Sequence, residues 1–97
     1  MNIGYEDKEH EYVPYEINLW SHRRWERPDD ERYYAAYIEQ DITGQWVLRR
    51  VWGSVNKPSG RMIITPCSDY DMAIALVKDV AKRRSSHHYL EMKNLGH

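Results

Sequence analysis

The stretch "RYYAAYIEQDITGQWVLRRVWGSVNKPSGRMIITP", residues 32–66, decides the fold of this chain. It contains three runs rich in aromatic and β-branched residues, which is the composition of β-strands. The segments between them, "DITGQ" and "GSVNKPSG", carry the Gly, Pro, Asn and Asp residues that form turns. Because short connections join antiparallel neighbours, we predict three consecutive strands over "RYYAAYIEQ", "WVLRRVW" and "RMIITP".

The flanking segments extend this pattern in both directions. Apolar and polar residues alternate in "YEINLW", residues 15–20, which predicts a first strand. The charge-rich "SHRRWERPDDE" that follows contains Pro28 and predicts a loop. "SDYDMAIALVKDVAKRRSS", residues 68–86, has a helical period, and Ser68 with Asp71 resembles a capping box for a helix over about residues 68–85. "HHYLEM" is a candidate for a short edge strand after that helix.

The helix presents one apolar face, and this face predicts how the layers pack. An apolar stripe at helical spacing is buried against another element. Its members are Tyr70, Ala73, Leu76, Val77 and Val80, and Arg84 falls on the same face. We predict an α+β fold in which an antiparallel meander of four to five strands carries one α-helix across one face. We expect residues 14–93 to form the single domain, residues 1–13 a flexible acidic arm, and residues 94–97 a flexible tail.

Composition narrows the class of protein. The 97 residues include 8 Tyr, 4 Trp and no Phe, and Tyr and Trp suit half-buried faces and binding surfaces. Cys67 is the only cysteine, so the chain cannot form an internal disulfide. No N-terminal apolar run resembles a signal peptide and no stretch could span a bilayer, so we expect a soluble, cytoplasmic protein without membrane contact.

The charge is divided along the chain. Residues 1–31 hold nine acids and four bases, a net charge of −5, whereas residues 42–97 hold four acids and nine bases, a net charge of +5. A basic face on a nearly neutral protein can bind anions. Pairing between the two halves would explain the same division.

Catalytic and metal chemistry find little support in the sequence. Cys67 would need a base such as His87 or His88 to act as a nucleophile, and nothing in the spacing requires that pairing. The histidines lack the spacing of metal ligands, and "GSVNKPSG" lacks the ending of a phosphate-binding P-loop. We predict a protein that is not an enzyme, with no catalytic residue, metal or cofactor.

Tryptophan and cations cluster around the connection at residues 53–60. Trp52 and Gly53 end the predicted third strand, and Arg49, Arg50, Lys57 and Arg61 flank them. Two interpretations are open: a tight connection between strands, or a surface that presents Trp52 and positive charge to a ligand. The run "KRR" at residues 82–84 also has two interpretations, as complement to the helix dipole or as part of an anion site.

The same residues resemble the WGR domain family, named after a Trp-Gly-Arg motif. Its pattern is an aromatic strand, a hairpin, a strand ending in the motif, a short loop with a second Gly, another strand and a helix. The helix has a small residue near its start and a basic residue near its end, and a tyrosine follows soon after it. The matching positions here are Tyr33, Tyr34, Trp52, Gly53, Gly60, Ala73, Arg84 and Tyr89, in the family's order. The resemblance covers roughly residues 16–92.

The resemblance implies an antiparallel sheet with one helix across it, and a module that binds nucleic acid without catalysis. In DNA-dependent poly(ADP-ribose) polymerases, WGR domains help to engage broken DNA, and the motif Trp packs against a sugar at a strand end. WGR domains also occur in bacterial proteins, some consisting of little else. The nucleic-acid-binding residues implied here are Trp52 and Gly53, with Arg49, Arg50, Lys57 and Arg61 meeting phosphates of DNA, preferentially at DNA ends.

This chain departs from the family pattern at two positions. The third position of the motif is Ser54, not Arg, so a bidentate phosphate donor is replaced by one short hydroxyl. His88 precedes the final Tyr, where the family commonly has Gly. The alternative function is therefore a protein–protein interaction module that has lost the DNA site with its arginine.

Overall fold

The computed structural model describes residues 14–93, as a five-stranded antiparallel sheet with one helix across one face. This confirms the predicted α+β fold. The sheet order is β4-β3-β2-β1-β5. The predicted flexible arm and tail lie outside the described residues. The elements are β1 (Ser21–Arg27), β2 (Arg32–Gln40), β3 (Trp46–Ser54), β4 (Gly60–Pro66), α1 (Tyr70–Ser86) and β5 (Leu90–Met92).

The first four strands form a meander, and β5 returns from the helix to pair with β1. The predicted strands over residues 32–40, 46–52 and 61–66 are confirmed, and so is the short edge strand after the helix. β3 runs two residues further than predicted, because Gly53 and Ser54 stay paired with Tyr33 and Arg32 of β2. The Trp-Gly pair therefore lies within the sheet and not in the connection.

The predicted first strand is misplaced. Residues 17–19 form a 3₁₀ turn, and the strand occupies residues 21–27, where we predicted a loop. Ile17 stays 64% exposed, so the alternation around it reflects no buried face, whereas Trp25 in β1 is 2% exposed and faces the helix. The charges of β1 are accommodated at the surface, where Arg23 pairs with Glu91 of β5 at 2.8 Å.

The core lies between α1 and the helix side of the sheet. Ala73, Val77 and Val80 are buried on α1, as the predicted apolar face requires, and they meet Ile38 of β2 and Leu48 of β3 in one cluster. Burying each large aliphatic side chain contributes roughly 1.5–3 kcal/mol. In residues 14–93 no helix is both long and apolar enough to cross a membrane.

The start of α1 differs from the sequence prediction in the identity of its N-cap residue. The N-cap is Asp69 and not Ser68, because the Asp69 side chain accepts a hydrogen bond from the Met72 N–H at 2.8 Å. At the other end, the Tyr89 N–H donates to the Arg84 carbonyl at 2.9 Å and leaves His88 with φ 69. This is a Schellman ending, whose left-handed residue is usually Gly.

The end of the sheet near the chain's N-terminus is held by Gln40. Its buried amide accepts hydrogen bonds from the Glu16 N–H and Trp20 Nε1, and donates to the Pro14 and Gly44 carbonyls. All of these bonds lie between 2.7 and 3.0 Å. The amide therefore fixes residues 14–20 against the β2–β3 hairpin, at the opposite end of β3 from Trp52.

Candidate nucleic-acid interface

Trp52 lies near the end of β3, on the side of the sheet that carries the helix. Residues directly opposite in an antiparallel pair share a face, and Trp52 is opposite Tyr34 of β2 and Arg61 of β4. Its indole stacks on Tyr34, with ring centroids 5.6 Å apart and an interplanar angle of 10°. Trp52 packs against the core cluster and remains partly exposed. One ring face is thus covered by the protein itself.

Gly53 and Gly60 approach each other across β3 and β4. Gly53 is opposite Gly60, and a Cβ on Gly60 would come within 2.8 Å of the Trp52 carbonyl oxygen and 2.9 Å of the Tyr33 hydroxyl. A Cβ on Gly53 would come within 3.2 Å of the Gly60 Cα. Both glycines are therefore explained by a close approach within the protein. The prediction that Gly53 admits a ligand stays a prediction.

Three of the four predicted phosphate-binding cations lie either on the helix side of the sheet or in the connection that follows Trp52. Arg50 and Arg61 share the helix side with Trp52, as the strand alternation predicts, and Lys57 lies in the adjoining connection. Arg61 and Lys57 are exposed, and Arg50 is partly exposed. Arg61 is therefore the cation directly opposite Trp52, and Arg50 lies two residues before Trp52 on the same face of β3.

Arg49 lies on the opposite face of the sheet. Its Nε donates to the Glu39 carboxylate at 2.6 Å, and its guanidinium lies 4.1 Å from the centre of the Tyr37 ring. The hydrogen bond to Glu39 raises the pKa of Arg49 above its ordinary value. Arg49 is thus engaged by β2, and the structure does not bring it to the surface that carries Trp52.

The position opposite Ser54 holds a cation that sequence reasoning missed. Ser54 ends β3 at the third motif position, and its partner in β2 is Arg32. Arg32 is exposed and shares the helix side with Tyr34, because the two are separated by one residue along the strand. The strand next to Ser54 therefore carries an exposed arginine on the helix side of the sheet. The signal was the register of the β2–β3 hairpin, which the position and length of its turn set.

A cavity of about 240 Å³ opens between the second half of α1 and strands β2–β4. Three of its lining residues are Arg50 from β3 and Arg83 and Arg84 from α1, and we call it the arginine cavity. Sequence analysis singled out residues 82–84 and Arg50 separately. Their meeting depends on how the helix crosses the sheet.

The face of the sheet without the helix alternates aromatic and basic side chains. The Arg24 guanidinium lies 4.6 Å from the centre of the Tyr33 ring, and His22 stacks on Tyr37 at 5.6 Å. With Arg49, these residues form a packed layer in which each cation rests on a tyrosine. Cation–π contacts at partly exposed sites stabilise such a layer by about 0.5–1 kcal/mol each.

Cys67 has the surroundings of a structural residue. It is 1% exposed, and burial raises the pKa of its thiol, which reduces the thiolate fraction at neutral pH. Among residues 14–93, no group of three or more His, Cys, Asp or Glu side chains is placed to hold a metal ion.

Comparisons with protein-family models, curated proteins and solved structures find no match for this chain.

Proposed function

We propose that this domain is a non-enzymatic module that binds DNA through the helix side of the sheet at the Trp52 end. One observation carries the proposal: Trp52 and Arg61 lie directly opposite each other, with Arg50 two residues along β3 and Lys57 in the adjoining connection. An aromatic ring beside cations is the composition of surfaces that stack on nucleotides and neutralise phosphates. The resemblance to WGR domains supports the same surface.

The charges of the described residues favour this side of the sheet. Residues 14–93 hold thirteen bases and eleven acids, a net charge of +2. The ion pairs within these residues engage Arg23, Arg24, Arg27 and Arg49. The cations around Trp52 form none of these pairs, so no acid of residues 14–93 competes with phosphates for them. Arg32 joins them opposite Ser54 and supplies charge where the WGR motif has arginine.

The test is a fluorescence-anisotropy titration of a labelled duplex between about 50 and 200 mM salt. Each phosphate neutralised on duplex DNA contributes about −0.9 to the slope of log affinity against log salt. Contacts from Arg50, Lys57 and Arg61 would give a slope of about −2.7, and affinity would fall roughly 40-fold over this range. Duplexes with blunt and closed ends show whether ends are preferred.

Two variants separate the stacking contribution from the charge contribution. Trp52→Ala should weaken binding by about 1–3 kcal/mol while leaving the salt slope nearly unchanged. Arg61→Ala should reduce the slope by about one unit. Lys78→Ala, on the exposed side of α1, is the matched control and should change neither quantity. A folded Trp52→Ala protein that binds DNA as tightly as the natural one would remove Trp52 from the interface.

A protein–protein interaction module is the second candidate, and the edge strand β4 favours it. Met62, Ile63 and Ile64 are each at least 45% exposed on the outermost strand of the sheet. An exposed apolar edge strand is a template for pairing with another chain. This candidate expects no DNA binding at 50 mM salt, and expects Trp52→Ala to change stability alone.

A further inference from the structure

The arginine cavity is positively charged, because the cations that line it outnumber the acids. Asp79 is the one acid among its lining residues, against Arg50, Arg83 and Arg84. None of these three arginines takes part in the ion pairs of residues 14–93. The lining therefore carries a net charge of +2 in a partly enclosed space.

Two of the guanidiniums are already partly removed from water. The Nε atoms of Arg50 and Arg84 are buried and have no hydrogen-bond acceptor among residues 14–93. A buried donor without an acceptor costs about 1–3 kcal/mol, and more when it belongs to a charged group. An anion beside these guanidiniums would offset that cost, because it interacts with a cation that water solvates poorly.

Arg84 is held in place by two aromatic rings. Its guanidinium lies 4.2 Å from the centre of the Tyr34 ring and 5.1 Å from that of Tyr89. These contacts restrict the side chain before any ligand binds, so less conformational entropy is lost on binding. Thr65 of β4 also lines the cavity and adds a hydroxyl group that can donate a hydrogen bond.

The size of the cavity limits what it can hold. Pockets for drug-sized ligands enclose about 300–1,000 Å³, and the arginine cavity encloses about 240 Å³. A small oxyanion fits this space better than a complete nucleotide does. Guanidinium groups match phosphate oxygens in pairs, and three of them from two elements suit a tetrahedral ligand with several oxygens better than a planar carboxylate.

We propose that the arginine cavity binds a phosphate group, either as inorganic phosphate or as the phosphate of a small monoester. Arg50 from β3 and Arg83 and Arg84 from α1 provide the guanidinium donors, and Thr65 provides a hydroxyl. This site requires no nucleic acid and does not rest on the proposed DNA binding.

The experiment titrates the 97-residue chain with sodium phosphate and follows the arginine Nε–H signals by ¹H–¹⁵N NMR. Ionic strength is held constant with chloride, and acetate serves as the planar comparison. Phosphate should shift the Arg50 and Arg84 Nε–H signals in a saturable way, and acetate should do so more weakly. Glycerol 3-phosphate distinguishes the two sources. If it binds as tightly as inorganic phosphate, the site accepts a monoester. If only inorganic phosphate binds, the site is specific for the free anion. Unchanged Nε–H signals with phosphate and glycerol 3-phosphate, or equal affinity for acetate, would overturn the proposal.

Variants test the assigned residues. A hydrogen bond to a charged group contributes about 1.5–3 kcal/mol, so Arg84→Gln should weaken phosphate binding about 10- to 100-fold. Arg83→Gln, at an exposed position of the same cavity, provides the test if Arg84→Gln fails to fold. Lys78→Gln removes a charge from the exposed side of α1 and should leave the affinity unchanged. Equal losses in Lys78→Gln and in the cavity variants would indicate a general charge effect and refute the site. No nucleic acid is present, so the outcome is independent of the DNA titration.

Discussion

Replacing His88 by glycine should stabilise the domain, because His88 occupies a backbone conformation that favours glycine. Its φ of 69° lies in the left-handed region, immediately after α1. A side chain in this region costs about 1–2 kcal/mol, and the additional entropy that glycine loses on folding offsets about 0.5–1 kcal/mol of the gain. His88→Gly should therefore raise the free energy of unfolding by about 0.5–1 kcal/mol. For a domain of this size, Tm should rise by about 2–8 °C.

The neighbouring residue provides a matched control. His87 is also an exposed histidine, but its φ is −99°, which any residue adopts without strain. His87→Gly should leave stability unchanged or lower it, by up to about 1 kcal/mol. Calorimetry of the natural protein and both variants at one pH separates the effect of backbone conformation from that of losing an imidazole. The reasoning is refuted if His88→Gly fails to raise Tm, or if both variants raise it equally.

Three further predictions concern the core, the paired glycines and the acid limit of stability. Val77→Asp places an unpaired charge in the core and should unfold the domain, and a native circular dichroism spectrum with an unchanged Tm would contradict the helix packing. Gly60→Ala should lower the free energy of unfolding by about 1–3 kcal/mol, and should lower the urea midpoint more than Gly53→Ala does. The reason is that only the Cβ on Gly60 meets the Trp52 carbonyl oxygen, at 2.8 Å. Equal losses of stability in the two variants would refute this argument. Hydrogen bonds within its own turn lower the pKa of Asp41 below 3.8, so the stability it contributes is complete above that pH and is lost as pH falls through the folded-state pKa. Asp41→Asn should flatten stability against pH below about 4, and urea titrations between about pH 2 and 5 that remain parallel to those of the natural protein would contradict the role of this carboxylate.

The sequence predicted the strands that are rich in aromatic and β-branched residues and whose ends carry turn residues. β2, β3 and β4 satisfy both conditions, and α1 has a clear apolar face. β1 was missed because a single buried residue, Trp25, marks its core face, while its charges suggested a loop. Those charges are tolerated because β1 pairs with both β2 and β5, and an acid of β5 meets Arg23. The ion pair between Arg23 and Glu91 joins residues 68 positions apart, so the sequence around β1 gives no sign of it.

The candidate sites, too, were predictable from the sequence only in part. Alternation along β3 places Arg50 and Trp52 on one face of the sheet and Arg49 on the other. The register of β2 against β3 then decided that Arg32 lies opposite Ser54, and the path of α1 across the sheet decided that Arg84 meets Arg50 in one cavity. Alternation follows from the geometry of a single strand and can be read locally. Register depends on where the hairpin turn begins and ends, and helix placement depends on the packing of the core. Neither can be read from a single strand, so only the tertiary structure brought these cations together.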